Sequence, residues 1–486
     1  MYKSKNSILK SCLLIIFTVL NGNVLYGQTN DAGIDKQIDN LFSAYNQATP
    51  GVAVAVVKDG KIIFKKGYGA ANLEYDTPIT PKTVFQIASV SKQFTAFSIY
   101  LLEKHGKISL EDDVRKYVPE VPDFGKTVRI KHLLAQTGGI RDQWSLLTLA
   151  GWRMDDIITT EHILKIISRQ KELNFEPGSR FLYSNSGYTL LAEVAARVSG
   201  KTFAEYTKEN IFAPLGMNDT QFYDDANRIV KNRAGSYEKV NGSYQKMNLN
   251  HSTVGATGLL TTVEDLSKWA LNFENPTVGD AELIRRFNAP SLLNNGQPVL
   301  FAVINGENSY HAKGQFTRNY RGVDLLNHSG HDAGFRTFLL RFPEKKLSII
   351  ALSNDEHINI FQTAFTIAGF YLKNDLKEMP NANPVNPANK KEQHVKESNT
   401  NLKDFEGKFY SEELNTDYTA KARNGKLVLS HTRLSDVELA ETGKDKFAGN
   451  IEFAVEVEFV RNKDNAVTGF KISNFGAKNV RFDKVK

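Results

Sequence analysis

The chain has 486 residues, 41% of them hydrophobic and 24% charged, a composition that excludes fibrous and disordered classes and leaves room for two folded units. Its net charge of +7 comes from 61 Lys and Arg against 54 Asp and Glu, with Lys3, Lys5 and Lys10 near the start. No stripe of basic residues interleaved with aromatics accompanies that excess, so nucleic acid is not an expected partner.

Lys3, Lys5 and Lys10 precede a short apolar run over residues 12–20, followed by a polar, small-residue stretch ending at Gly27. That order predicts a secretory signal peptide over residues 1–27, cleaved after Gly27. The expected product is secreted, periplasmic or extracellular, with no stable membrane anchor, because the run is shorter than the ~20 residues that span a bilayer. Cys12 is the only cysteine. The processed chain has none, which excludes disulfides, a cysteine nucleophile and thiolate metal sites.

Residues 31–45 carry helical spacing (Ile34, Ile38, Leu41, Phe42). An apolar strand follows over 52–57, with Asp59-Gly60 as a hairpin turn and Ile62, Ile63 and Phe64 on the return strand. A second apolar run, 84–88, leads into Ser89, and residues 91–105 read as a buried helix stopped by Gly106. The middle of the chain, to about Trp269, is rich in helix, including 188–198 with Leu190, Leu191, Val194 and Ala195 on one face. Residues 143–156 and 294–321 read as loops that wall a pocket. Strand patterns return at 324–328, 335–342 and 347–352, and 361–372 reads as a final helix.

Strands at both ends with helices between predict one α+β domain over 28–377, its sheet built from distant pieces. Residues 378–400, with Pro380, Pro384 and Pro387, are polar and read as a linker. Residues 401–486 show short strands (418–422, 427–429, 453–459) around turns such as Asn424-Gly425, the pattern of a small antiparallel β domain.

A serine hydroxyl is a weak nucleophile unless a base lies within hydrogen-bond reach. In Ser89-Val90-Ser91-Lys92, position i+3 lies on the same helix face, so Lys92 can reach the Ser89 hydroxyl. The spacing alone is weak, since it recurs at Ser7/Lys10, Ser168/Lys171, Ser236/Lys239 and Ser243/Lys246. Only Ser89 sits where an apolar run turns into a strongly apolar helix. Tyr183-Ser184-Asn185 adds a tyrosine whose pKa a nearby lysine cation lowers, fitting it to shuttle a proton, and an amide that can orient a substrate carbonyl or Lys92. An Asx-capped helix start would explain the same triplet. His328-Ser329-Gly330-His331, at a strand edge, offers a glycine that lets substrate approach the backbone. The N–H of His331 can then complete an oxyanion hole with that of Ser89. A glycine-rich turn would explain it too. His328, His331 and Asp332 lack further ligands nearby in sequence, so no metal and no cofactor is expected.

The order Ser89-x-x-Lys92, Tyr183-x-Asn185, then His328-x-Gly330 resembles the penicillin-recognising serine hydrolases, in particular the class C β-lactamase-related branch with its D-aminopeptidases, D,D-carboxypeptidases and esterases. Residues 130–140, 214–217 and 258–266 are similar to that family as well. The resemblance implies a β-lactamase/transpeptidase-like fold: an antiparallel sheet flanked by helices, plus an all-helical subdomain. It implies that Ser89 is acylated, that Lys92 activates it, that Tyr183 shares the proton work and that Asn185 orients the substrate. His328, Ser329 and Gly330 then take the place of a Lys-Thr-Gly strand. Without that lysine, the expected substrate is a peptide, amide or ester rather than a β-lactam. A weakly active β-lactamase and a non-catalytic binder of penicillin or cell-wall fragments are the alternatives. The C-terminal segment resembles a lipocalin-like β domain.

Overall fold

The computed structural model describes residues 28–378 and 401–485. The expected signal peptide, and the expected linker beyond Glu378, lie outside the described residues.

The apolar run after Gly51 forms the strand Val52–Lys58, buried from Val52 to Val57. Burial of successive residues means that both faces of the sheet are covered there. Asp59 and Gly60, both with positive φ, turn the chain into the strand Lys61–Tyr68. On its other side Val52–Lys58 pairs antiparallel with Leu347–Ser353. The full sheet has eight strands in the order Leu300–Ile304, Glu307–His311, Phe316–Tyr320, Val323–Asp332, Phe335–Phe342, Leu347–Ser353, Val52–Lys58, Lys61–Tyr68. The two ends of the domain therefore meet in the body of the sheet, as its pattern predicts.

Helices Gln28–Leu41 and Ile360–Tyr371 cover one face, where Ile38, Val54, Leu340 and Ile367 share a core. Helix Val263–Asn272 covers the other, and Phe94 and Phe97 of the helix Ser91–Lys104 share a core there with Trp269, Ala53 and Ala55. Beyond them lies a helical region that includes Gln143–Leu149, Thr160–Ile167 and Asn185–Ser199.

Two segments read as loops are structured. Residues 294–321 contain three strands at the sheet edge, turned by Asn305-Gly306 with φ 51° and 83°. The mixed exposure of an edge strand hides its alternation, but that Asn-Gly pair is a hairpin signal. Residues 143–156 include the helix Gln143–Leu149, capped by Asp142.

Eight antiparallel strands from Gly407–Ser411 to Val480–Lys484 form a closed barrel, sealed by Phe409 opposite Lys484. Closure removes the exposed edges of a small sheet. Phe405, Phe409, Phe447, Phe459, Phe470 and Phe482 fill its interior, with Phe470 and Phe482 stacked at 4.8 Å. Apolar contact continues from the helical region into the barrel, where the Tyr418 hydroxyl donates to the Leu149 carbonyl at 3.2 Å. Among the described residues no helix is long and apolar enough to cross a membrane.

Candidate active site

The short strand Phe85–Gln86 is followed at Ala88 by a φ of 48°, unusual for a residue with a Cβ. That kink feeds a 3-10 turn, Ala88–Val90, and then the helix Ser91–Lys104. The α-helix thus starts two residues after Ser89, and Ser89 sits in the tighter turn before it. Lys92 still lies one turn on. Its side chain is fully buried, yet Nζ lies 3.1 Å from Ser89 Oγ, 2.8 Å from Asn185 Oδ1 and 2.7 Å from the Ala256 carbonyl.

Burial drives the Lys92 pKa down to about 7, against the opposing pull of Asp332 and Asp142. A neutral amine has two N–H donors and one lone pair. Lys92 Nζ donates to Asn185 Oδ1, to the Ala256 carbonyl and to Ser89 Oγ; once it is neutral, the two carbonyl oxygens can hold its two N–H groups and free the lone pair to accept from the Ser89 hydroxyl.

Tyr183 packs its ring 4.8 Å from Lys92 Nζ and its hydroxyl hydrogen-bonds Ser89. Its pKa moves upward, because burial outweighs the Ser89 hydrogen bond. This corrects the expected lowering by a lysine cation: Lys92 is itself pushed toward neutrality, so Tyr183 stays a protonated phenol. Asn185 opens the helix Asn185–Ser199. It also answers an unpredicted residue, Asp142, which accepts from the Asn185 backbone N–H at 2.7 Å and from Nδ2 at 2.9 Å.

The strand Val323–Asp332 pairs with Phe335–Phe342 along its C-terminal half, but its ladder to Phe316–Tyr320 ends at Asn327. Residues 328–332 therefore present a free edge, and the Ser89 turn packs there. A Cβ on Gly330 would lie 2.2 Å from the Ile87 carbonyl oxygen and 3.0 Å from Ala88 Cβ. Gly330 thus admits the backbone of the nucleophile turn, where the expectation was close approach of substrate.

His328 is buried, stacked on Phe316 at 5.2 Å, with Nδ1 2.6 Å from the Ser329 carbonyl. Burial and then Lys92 pull its pKa down to about 3, so it is a neutral ring at ordinary pH. Ser329 is half-buried and paired with Phe338, while His331 is exposed.

Ser89, Asp142, Tyr183, Asn185 and His331 line a cleft of about 690 Å³ whose walls include Trp144, His251 and Asp332, while Lys92, His328, Ser329 and Gly330 lie behind its lining. Asp332 takes hydrogen bonds from Thr257 and Gln86. Two cations reach the cleft and both are paired, Arg153 with Asp155 and Lys246 with Glu74. The barrel contributes Glu452, Phe453 and Phe475 to its rim. Sequence spacing singled out neither Asp142 nor the barrel residues. Asp142 caps the helix Gln143–Leu149, a role any capping aspartate can fill, and the others lie at a strand start and in turns of a separate unit.

Over 316 residues the chain is 28% identical to a D-aminopeptidase of Gluconobacter oxydans, covering 65% of this chain and 57% of that protein. Protein flp of Staphylococcus aureus (strain MRSA252) is 30% identical over 67% of this chain and 64% of its own length. The chain thus spans less than two thirds of either relative. The structure of an octameric penicillin-binding protein homologue from Pyrococcus abyssi superposes with a TM-score of 0.62 at 23% identity, over 93% of this chain and 99% of that one. At that identity the likeness is one of fold, and it takes in the barrel. The beta-lactamase family profile matches residues 38–366, and on that match the chain belongs to the beta-lactamase family.

Proposed function

We propose that the protein is a secreted serine hydrolase that cleaves a peptide, amide or ester bond through an acyl-enzyme. The observation that carries this reading is the buried Lys92 amine 3.1 Å from Ser89 Oγ, with Asn185 Oδ1 and the Ala256 carbonyl placed to take its two N–H groups when it is neutral. Lys92 takes the Ser89 proton as Oγ attacks the substrate carbonyl carbon. The carbonyl oxygen takes up the charge, facing the N–H groups of Ser89 and His331. The tetrahedral intermediate then collapses, and the leaving amine or alkoxide receives a proton from Lys92 through the Tyr183 hydroxyl. Water hydrolyses the acyl-Ser89 ester, releasing the acid and restoring the serine. Asn185 orients the substrate carbonyl, and residues 328–331 form the strand along which it lies.

The substrate class is the D-amino-acid peptide or amide, in line with the D-aminopeptidase relative. A β-lactam or a C-terminal carboxylate calls for a free cation. The strand supplies a neutral His328, and the cleft cations Arg153 and Lys246 already have carboxylate partners. Secretion is supported by the charged, apolar and polar order of residues 1–27 and is tested by N-terminal sequencing of the exported protein.

The deciding experiment is labelling with a fluorophosphonate and turnover of D-amino-acid amides, cephalosporins and short-chain p-nitrophenyl esters, each with Ser89→Ala as control. Labelling and turnover lost in Ser89→Ala, with amides ahead of cephalosporins, support the reading. Labelling that survives Ser89→Ala removes the nucleophile assignment, and faster cephalosporin turnover removes the substrate class.

A further inference from the structure

Asp142 is buried at the base of the cleft beside Asn185, and its two oxygens serve different elements. Oδ1 accepts from the N–H groups of Trp144 and Ser145 at 3.0 and 3.1 Å, capping the helix Gln143–Leu149. Oδ2 accepts both Asn185 protons already described. Burial raises the Asp142 pKa, against the pull of its hydrogen bonds and of Lys92, but all four of its hydrogen bonds come from N–H donors, so its oxygens act as acceptors and the Asn185 Nδ2 faces Asp142 while the Asn185 Oδ1 faces Lys92. The side-chain amide is thereby fixed against a flip that would point two N–H groups at the amine.

Asp142 is itself held by the barrel. Its backbone N–H donates to the Gly476 carbonyl at 2.8 Å. Gly476 sits so close that a Cβ there would lie 2.5 Å from Ser145 Oγ and 2.7 Å from Asp142 Cβ. The same turn is pinned by Asn174, whose Nδ2 donates to the Gly476 carbonyl and whose Oδ1 accepts from the Lys478 N–H, both at 2.9 Å. One residue before Asp142, Arg141 forms a buried ion pair with Glu413 of the barrel.

We propose that Asp142 is a positioning residue for Lys92, acting through Asn185, and that the barrel turn carrying Gly476 holds Asp142 in place. The barrel is then a structural part of the active site. This rests on the reading of Ser89 and Lys92 as nucleophile and base. The charged and polar groups facing Lys92 are Ser89 on its own turn, Asp142, Tyr183 and Tyr188 from the helical region, and His311, His328 and Asp332 from the sheet.

The test uses full-length Asp142→Asn with p-nitrophenyl acetate. Asparagine is a good helix cap and matches aspartate in size, so its single amide oxygen can keep the cap. Its amide, however, sets N–H groups against the Asn185 Nδ2 or gives up the cap. The expected result is a kcat lower by about 10–100-fold, the range that small misplacement of a reacting group produces, with KM little changed. The acid limb of the pH profile should move to lower pH, because Lys92 loses a neighbouring negative charge that favours its protonated form. Asp142→Ser, which caps but falls short of Asn185, should lose rate in the same way and stands in if the first variant does not fold. Gly476→Ala should reproduce the kcat loss, and the double variant should be no slower than Asp142→Asn alone. An unchanged kcat and acid limb in Asp142→Asn overturns the positioning role, and a wild-type kcat in Gly476→Ala overturns the part given to the barrel. Ser89→Ala, run alongside, separates the two levels. If it abolishes turnover while Asp142→Asn does nothing, only this inference falls. If turnover survives it, the reading beneath falls.

Discussion

The guanidinium of Arg141 meets the carboxylate of Glu413 at 2.5 Å, with 0% and 4% of the two side chains exposed. Hydrolase domain and barrel are thus joined through a closed ion pair, with Gln170 accepting from the same guanidinium nitrogen at 2.9 Å. Removing one partner leaves the other charge buried. Glu413→Ala should cost about 3–5 kcal/mol of stability. Replacing both Arg141 and Glu413 by methionine should cost less than the single change. Denaturant unfolding of the three variants checks both statements.

The activity should rise as pH climbs through about 7, because the base form of Lys92 appears there. Lys92→Arg leaves a cation that cannot deprotonate and should lower kcat by about 10²–10⁴-fold at every pH. The lowered pKa also has a sign for stability. Between about 7 and the ordinary lysine value the unfolded chain holds a proton that the folded chain does not, so this group favours folding more as pH rises across that window and less as pH falls through 7. Comparing the pH dependence of unfolding in wild type and Lys92→Met isolates it. His328, neutral down to about pH 3, should add no limb to the rate profile between pH 5 and 9.

Gly330→Ala places a methyl 2.2 Å from both the Ile87 carbonyl oxygen and Thr337 Oγ1. Strand and nucleophile turn must part, at a cost of about 1–3 kcal/mol. Because the displaced turn carries Ser89, the rate of fluorophosphonate labelling should fall with it. A variant labelled at the wild-type rate would contradict this account of the glycine.

Phe475 is 52% exposed on the cleft rim and meets Phe453 edge-on at 5.1 Å. An exposed aromatic edge beside a reacting group fits an apolar substrate side chain. Phe475→Ala should raise KM for bulky apolar amides several-fold, leave kcat unchanged and spare small substrates, consistent with the ~0.5–1.5 kcal/mol of an aromatic contact. Steady-state kinetics on a size series of amides measures it.

Much of this architecture is legible in the chain because it follows from local pattern. Residues 335–342 and 347–352 are apolar enough to be sheet interior, and Gly106 and Gly200 end helices with φ of 67°. Ser89, Lys92, Tyr183 and Asn185 come together because each sits at the start of an element with a strong signal of its own. Asp142 escapes notice because a capping aspartate has the same sequence signature whether or not its second oxygen faces a lysine. The edge strands 300–320 escape it because mixed exposure hides their period, although Asn305-Gly306 marks the turn. The direction of the Tyr183 shift escapes it because burial depends on packing from residues far along the chain.

The hydroxyl of Thr337 donates to the Ile87 carbonyl at 2.9 Å, across 250 residues of sequence. The strand Val52–Lys58 likewise waits for Leu347–Ser353 before it has a neighbour on that side. Closing such long loops is slow, and a chain made from its N-terminus cannot close them until most of it has emerged. The serine near residue 90 is therefore written early and armed late. While the chain is being made, its hydroxyl has neither the turn that presents it nor the amine that activates it, so hydrolytic power arrives only with the completed fold.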